Sequence, residues 1–275
     1  MSSPANISPT AHYTGEVWRR NGLSHPWLAT REGRAMFDAL HPLMRASGAL
    51  GGPSLETYLL ARHAAIDALL GRAIERDGVT QVIEIAAGMS PRGWRFANRY
   101  GDRLIYVEAD LPAMAERKRR ALARIGSLSD RHRVVELDAR RADGRASLAE
   151  LAGELDDERG LALITEGLLA YLPTDAVIAM WRRFAAILSE FPGGRYISDL
   201  HLGSATSPLV GAFRLGLAAF VRGQVHLHFD DAADAEAALR ACGFHHAAVT
   251  RAARLAELPR EIRGSMAHIL EASTT

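Results

Sequence analysis

From Val82 onward, short apolar runs alternate with longer amphipathic stretches. The runs are Val82–Ile85, Leu104–Val107, Val134–Leu137, Leu161–Ile164 and Tyr196–Leu200. Helix-like segments lie between and after them, near 92–100, 112–125, 145–155 and 174–190. Five strand–helix units in succession predict an α/β fold with a doubly wound, mostly parallel sheet. Ahead of them, residues 1–30 read as irregular and aromatic-rich (Tyr13, Trp18, Trp27), and Arg31–Asp77 reads as helical. In that helical region Ser54 is a candidate N-cap, Leu55, Leu59, Ile66, Leu69 and Leu70 share one stripe, and Gly78 ends the pattern. After Leu200 the alternation breaks. The apolar stretch Leu209–Val221 predicts a cap inserted over the carboxyl ends of the strands; one more core helix is the plainer alternative. A helix near 231–241 and a closing pair of strands, Phe244–Thr250 and Met266–Glu271, complete the pattern. The expected division is a helical N-terminal region, 1–77, and a core, 78–275, with the cap at about 203–228.

Composition narrows the function classes. The chain has 275 residues, 48% apolar, with a formal net charge of +1. That is enough to bury a core, and it supplies no overall charge to attract nucleic acid or an anionic membrane. No stretch approaches the ~20 apolar residues of a membrane span. The N-terminus lacks a basic region followed by an apolar run, so no signal peptide is read and a cytoplasmic location is the default. Cys242 is the only cysteine, which excludes an intrachain disulfide and a cysteine-cluster metal site. Lys118, the only lysine, sits in the basic run Arg117–Arg120, which reads as a solvated helix face and so argues against Schiff-base chemistry.

The candidate chemistry lies at the carboxyl ends of the predicted strands, where open α/β sheets keep their ligands. After the first strand, Glu84-Ile-Ala-Ala-Gly88 forms a glycine turn that opens a helix, and Gly88 permits close approach of a ligand. The second strand ends in Glu108-Ala-Asp110. A carboxylate about twenty residues beyond a glycine turn suits the ribose hydroxyls of an adenosine. The third strand ends near Asp138, and the fourth ends at Glu166, in Glu166-Gly-Leu-Leu-Ala-Tyr-Leu-Pro173. Glu84, Gly88, Glu108, Asp110, Asp138 and Glu166 are therefore candidate cofactor contacts. Tyr171 and His201, the latter directly after the fifth strand, are candidate catalytic residues. His226 and His228 have a metal-ligand spacing but no evident third ligand, so no metal is expected.

These segments resemble a known family. Ile85-Ala-Ala-Gly-Met-Ser-Pro-Arg-Gly-Trp94, Val107-Glu-Ala-Asp-Leu-Pro112 with Lys118 downstream, and Thr165-Glu-Gly-Leu-Leu-Ala-Tyr-Leu172 are similar to the leucine carboxyl methyltransferase superfamily. Ala11-His-Tyr-Thr-Gly15 and Trp18–Pro26 resemble its branch of tetracenomycin-type polyketide O-methyltransferases. The resemblance implies a class I methyltransferase fold, Rossmann-like with one antiparallel strand, using S-adenosylmethionine to methylate an oxygen, most often of a carboxylate. It implies that Arg62 pairs with the cofactor's carboxylate, that Gly88, Asp110, Asp138 and Glu166 are cofactor positions, and that Ala139 lies next to the adenine contact. The family turn usually reads Leu-Gly-Ala-Gly-Leu-Asp-Thr-Arg; here Ala86 replaces the first glycine and Ser90-Pro91 replaces Asp-Thr. A methyl group at position 86 implies a negative φ.

The expected function is methylation of a carboxylate on a hydrophobic, polyketide-like or aromatic small molecule. A peptide or protein C-terminal carboxylate is one alternative acceptor, and a phenol with His201 as base is another. A nicotinamide-dependent oxidoreductase would need a tighter glycine turn. A weakly binding, non-catalytic member is a further alternative, motivated by the altered turn. Oligomeric state is open.

Overall fold

The computed structural model describes residues 9–49, 55–203, 226–255 and 266–275. Seven strands form one sheet: β1 (Val79–Ile85), β2 (Ile105–Asp110), β3 (His132–Glu136), β4 (Gly160–Thr165), β5 (Arg195–Leu200), β6 (His246–Arg251) and β7 (His268–Ser273). Their order is β3-β2-β1-β4-β5-β7-β6. The first five pair in parallel, and β7 runs antiparallel to both β5 and β6. This is the doubly wound, mostly parallel class I methyltransferase fold, with β7 as its one reversed strand.

Alternation along the strands divides two apolar layers. Ile83, Ile85, Val107 and Leu163 face one side, with α6 (Leu148–Ala152), α7 (Thr174–Leu188) and α8 (Ala232–Ala241). Val82, Tyr106, Ile164 and Ile197 face the other, with α1 (Pro9–Arg20), α3 (Leu55–Arg76) and α4 (Arg92–Tyr100). α2 (Arg31–Ala49) crosses α1, and α5 (Pro112–Ile125) covers β3. Local signals set several ends. Pro112 starts α5 and Gly126, at φ 74°, ends it; Ser147 caps α6 through the Glu150 N–H.

Three expectations change. Residues 9–20, read as irregular, form α1, because Tyr13 and Val17, one turn apart, are buried against α2 and α3. The helix expected near 145–155 is confined to Leu148–Ala152. The basic run is not wholly solvated, because Lys118 is buried. The Ser54 cap and the apolar stretch Leu209–Val221 lie outside the described residues. Among the described residues, no helix is long and apolar enough to cross a membrane.

Candidate functional site

The strand order reverses between β1 and β4, and the register sets Ile85 beside both Ala109 and Thr165. The residues that follow β1, β2 and β4 therefore leave the sheet around one crevice. The turn after β1 is tight. Gly88 has φ 52°, and its N–H donates to Asp110 Oδ2 at 2.7 Å. The Leu111 N–H donates to Oδ1 of the same carboxylate, also at 2.7 Å. Burial raises the Asp110 pKa above the ordinary aspartate value, and these two amides pull it the other way. Ala86 does not have the negative φ expected of it: φ is +54°. The left-handed conformation costs an L-residue about 1–2 kcal/mol, so the turn keeps its glycine-type shape under strain.

Beside the turn lies a buried network of charges. Arg92, fully buried at the start of α4, meets Asp67 through Nε, Glu84 through Nη1 and Glu166 through Nη2, each at 2.6 Å. Arg62 on α3 meets Glu166 through Nε at 3.0 Å and Asp199 through Nη1 at 3.2 Å. His63 Nδ1 lies 2.9 Å from both Glu166 Oε2 and Arg92 Nη2. Burial opposes ionisation of Glu166, but the charges of His63, Arg92 and Arg62 overcome it and hold its carboxyl well below the ordinary range. Asp199 also accepts the Gly167 N–H at 2.7 Å, which ties the end of β5 to the turn after β4.

The sequence candidates divide in this setting. Gly88, Asp110, Arg62 and Glu166 gather at the β1/β4 crevice. Glu84 and Glu108, expected as cofactor contacts, instead turn inward and are spent on internal partners: Arg92 and Tyr106 for Glu84, Lys118 and His132 for Glu108. Asp138 lies two residues beyond β3. Arg140 hydrogen-bonds its carboxylate and holds its pKa down. The Ala139 carbonyl accepts from Arg183 at 2.9 Å. Tyr171 is exposed at the end of a short 3-10 turn. His201 Nε2 lies 2.9 Å from the hydroxyl of Tyr58. His228 is held by the Leu169 carbonyl and Thr174, and among the described residues no His, Cys, Asp or Glu group is arranged to hold a metal.

The sequence reading gave no role to Arg92, His63, Asp199 or Tyr58. A signal existed for two of them. Arg92 stands in the glycine segment itself, and Asp199 lies near the carboxyl end of the fifth strand, as Glu166 lies just beyond the fourth.

The donors and acceptors present fit an adenosine joined to an amino acid. Each Asp110 oxygen accepts one backbone N–H and has a second lone pair. The Arg62 guanidinium has five N–H donors, and its two carboxylate contacts use Nε and Nη1. Among the described residues, a Cβ added at Gly88 would meet only Ala11 Cβ, at 3.7 Å, so the turn can be approached closely.

Comparison with known proteins agrees with this fit. A provisionally named S-adenosyl-L-methionine-dependent methyltransferase of Mycolicibacterium smegmatis is 34% identical over 166 residues, 60% of this chain and 51% of that protein. The chain thus matches about half the length of that relative. A provisionally named methyltransferase from Thermobifida fusca has a TM-score of 0.66 at 14% identity, covering 98% of this chain and 96% of its own. Human N-acetylserotonin methyltransferase, solved with S-adenosylmethionine, has a TM-score of 0.53 at 12% identity, covering 96% and 64%. These two structures share the fold. The fold and these relatives are those of S-adenosylmethionine-dependent methyltransferases. Within that class, the chain belongs to the leucine carboxyl methyltransferase family, whose model matches residues 25–185.

Proposed function

We propose that the protein is an O-methyltransferase that esterifies a carboxylate on a hydrophobic, aromatic or polyketide-like small molecule. The observation that carries this reading is the placement, at the same end of the sheet, of the Gly88–Asp110 hydrogen bond and the Arg62–Glu166–Asp199 cluster. Asp110 receives the ribose hydroxyls, Asp138 and Ala139 flank the adenine, and Arg62 pairs with the amino-acid carboxylate. Glu166 acts by orienting Arg62. When bound, S-adenosylmethionine supplies a methyl group on a positively charged sulfur.

The chain must then bind the acceptor, aim its oxygen and exclude water. A carboxylate is already ionised at neutral pH, with a reference pKa of ~4, and needs no base. His201 has its Nε2 beside the Tyr58 hydroxyl, which suits positioning of the acceptor better than proton removal. Tyr171, exposed beside the same strand ends, is a second acceptor-positioning group. The family assignment supports a carboxylate acceptor, and the likeness of residues 11–15 and 18–26 to polyketide O-methyltransferases supports a hydrophobic one.

The test is direct. Saturating S-adenosylhomocysteine should raise the melting temperature through linkage. With methyl-labelled cofactor, a panel of aromatic acids and matching phenols should yield base-labile methyl esters. Label found only in base-stable ethers would replace the carboxylate reading with a hydroxyl one, and no ligand-induced shift would remove the cofactor assignment.

A further inference from the structure

Lys118 is a buried cation with no place in the chemistry above. It is 1% exposed, on α5, and is the chain's one lysine. Its ammonium forms an ion pair with Glu108, itself fully buried. His132 Nε2 lies 2.8 Å from the other Glu108 oxygen, and Ser127 holds the far side of that ring. Burial alone would raise the Glu108 pKa; Lys118 and His132 together bring it below the ordinary value. The arrangement depends on Gly93, because a Cβ there would collide with the Glu108 carboxylate.

The same ammonium donates to the Ala87 carbonyl at 3.3 Å. Ala87 sits between the two left-handed residues of the cofactor turn, Ala86 at φ 54° and Gly88 at φ 52°. Its N–H is held by the Ala109 carbonyl, and its carbonyl also accepts the Ser90 N–H. Both backbone polar groups of Ala87 are thus fixed, next to a residue whose side chain disfavours the conformation it adopts.

We propose that Lys118, anchored by Glu108 and His132, is a positioning residue that clamps the Ala87 peptide and holds the strained Ala86–Gly88 backbone ready for the cofactor. The proposal rests on the reading of this turn as the cofactor turn. It explains how alanine can stand where the family has glycine: a fixed carbonyl offsets the strain. A purely structural lysine would act on global stability and would be indifferent to residue 86.

A double-mutant cycle on Lys118→Met and Ala86→Gly separates the two roles. In the ligand-free protein, Lys118→Met should speed hydrogen exchange of amides 87–90 on the order of tenfold, about 1.4 kcal/mol. It should weaken S-adenosylhomocysteine binding by a similar factor in calorimetry. Glycine at 86 adopts positive φ without strain, so Ala86→Gly should restore most of both losses. If Lys118→Met fails to fold because Glu108 is left unpaired, Lys118→Met with Glu108→Gln removes both charges and carries the same cycle. Unchanged exchange and affinity, or equal losses with alanine and glycine at 86, overturn the proposal. Coupling in exchange without any heat from S-adenosylhomocysteine on the unmodified chain overturns the cofactor reading and leaves the clamp standing.

Discussion

Arg92 is fully buried, yet each of its three guanidinium nitrogens meets a carboxylate. Such a cation is tolerable in the interior only because its donors are matched, and the acids around it are stabilised in return. The consequence is a specific pH dependence. Glu166 and Asp67 have folded pKa values below their ordinary ones. The unfolded chain therefore binds more protons in the acid range, and stability rises with pH there. Their contribution is complete above the ordinary carboxylate values, about 4, and is lost as pH falls through the lower folded values. Urea titrations should find stability level, as far as these groups are concerned, from about pH 6 to 8. Below about pH 5, Glu166→Gln should flatten the slope by about one proton; an unaltered slope would remove Glu166 from this role. Asp110 is the opposite case, since burial raises its pKa and the folded state bears its charge at some cost. Such a cost is expected of a group kept for binding. Asp110→Ala should weaken S-adenosylhomocysteine by about 1.5–3 kcal/mol, the range for hydrogen bonds to a charged group, with the fold retained. A calorimetric dissociation constant that does not move would place the ribose contact elsewhere.

Among the elements, α1 packs the N-terminal region against the Ala86–Gly88 turn. Ala11 and Gly15 face Gly88 and Met89, and Trp18 packs on His63 with ring centroids 4.6 Å apart. α1 is kept in this place by α2, which crosses it so closely that a Cβ on Gly33 would fall 2.2 Å from the His12 carbonyl oxygen. Gly33→Ala should therefore force the two helices apart. The expected loss is about 1–3 kcal/mol, the usual scale for overpacking, read as a lower urea midpoint together with weaker S-adenosylhomocysteine binding. A variant as stable as the parent would mean that the crossing can shift freely. α1 was also the least legible element. Its apolar residues are few, Gly15 interrupts them, and their burial depends on α2 and α3, which no local pattern reveals. The strands were legible because each carries a compact apolar run bounded by polar residues, and the acids at their ends could be placed by topology alone. Glu84 and Glu108 misled for a related reason. Strand-end position indicates a crevice, but the alternation that points each of them inward toward Arg92 or Lys118 becomes visible only when the partner helix is in place.

At the scale of the whole molecule, the fold brings an α3 tyrosine, Tyr58, to the histidine that follows β5, His201, 143 positions later in the chain. This pair stands beside Arg62 and Asp199, at the carboxyl end of β5. Burial pushes the Tyr58 pKa up, with the Asp199 charge adding to it, so its hydroxyl stays protonated across the working range. A protonated hydroxyl facing a ring nitrogen makes a fixed hydrogen-bonding edge suited to orienting an acceptor that already carries its charge. A phenol acceptor, with a pKa near ~10, would instead require a base. The two cases separate in His201→Ala. With a carboxylate acceptor, the variant should raise KM for the acceptor while kcat falls less than about tenfold, short of the ~10²-fold or more typical of a lost general base. The rate of the methyl-transfer step, measured in single turnovers, should stay level from about pH 6 to 8, well above the ~4 of a carboxyl group. Tyr58→Phe should shift KM in the same direction, because it removes the other half of the same edge. A fall in kcat of ~10²-fold or more, together with a rate that climbs through neutral pH in the parent enzyme and loses that limb in His201→Ala, would assign the proton-accepting role to His201 and make the acceptor a hydroxyl.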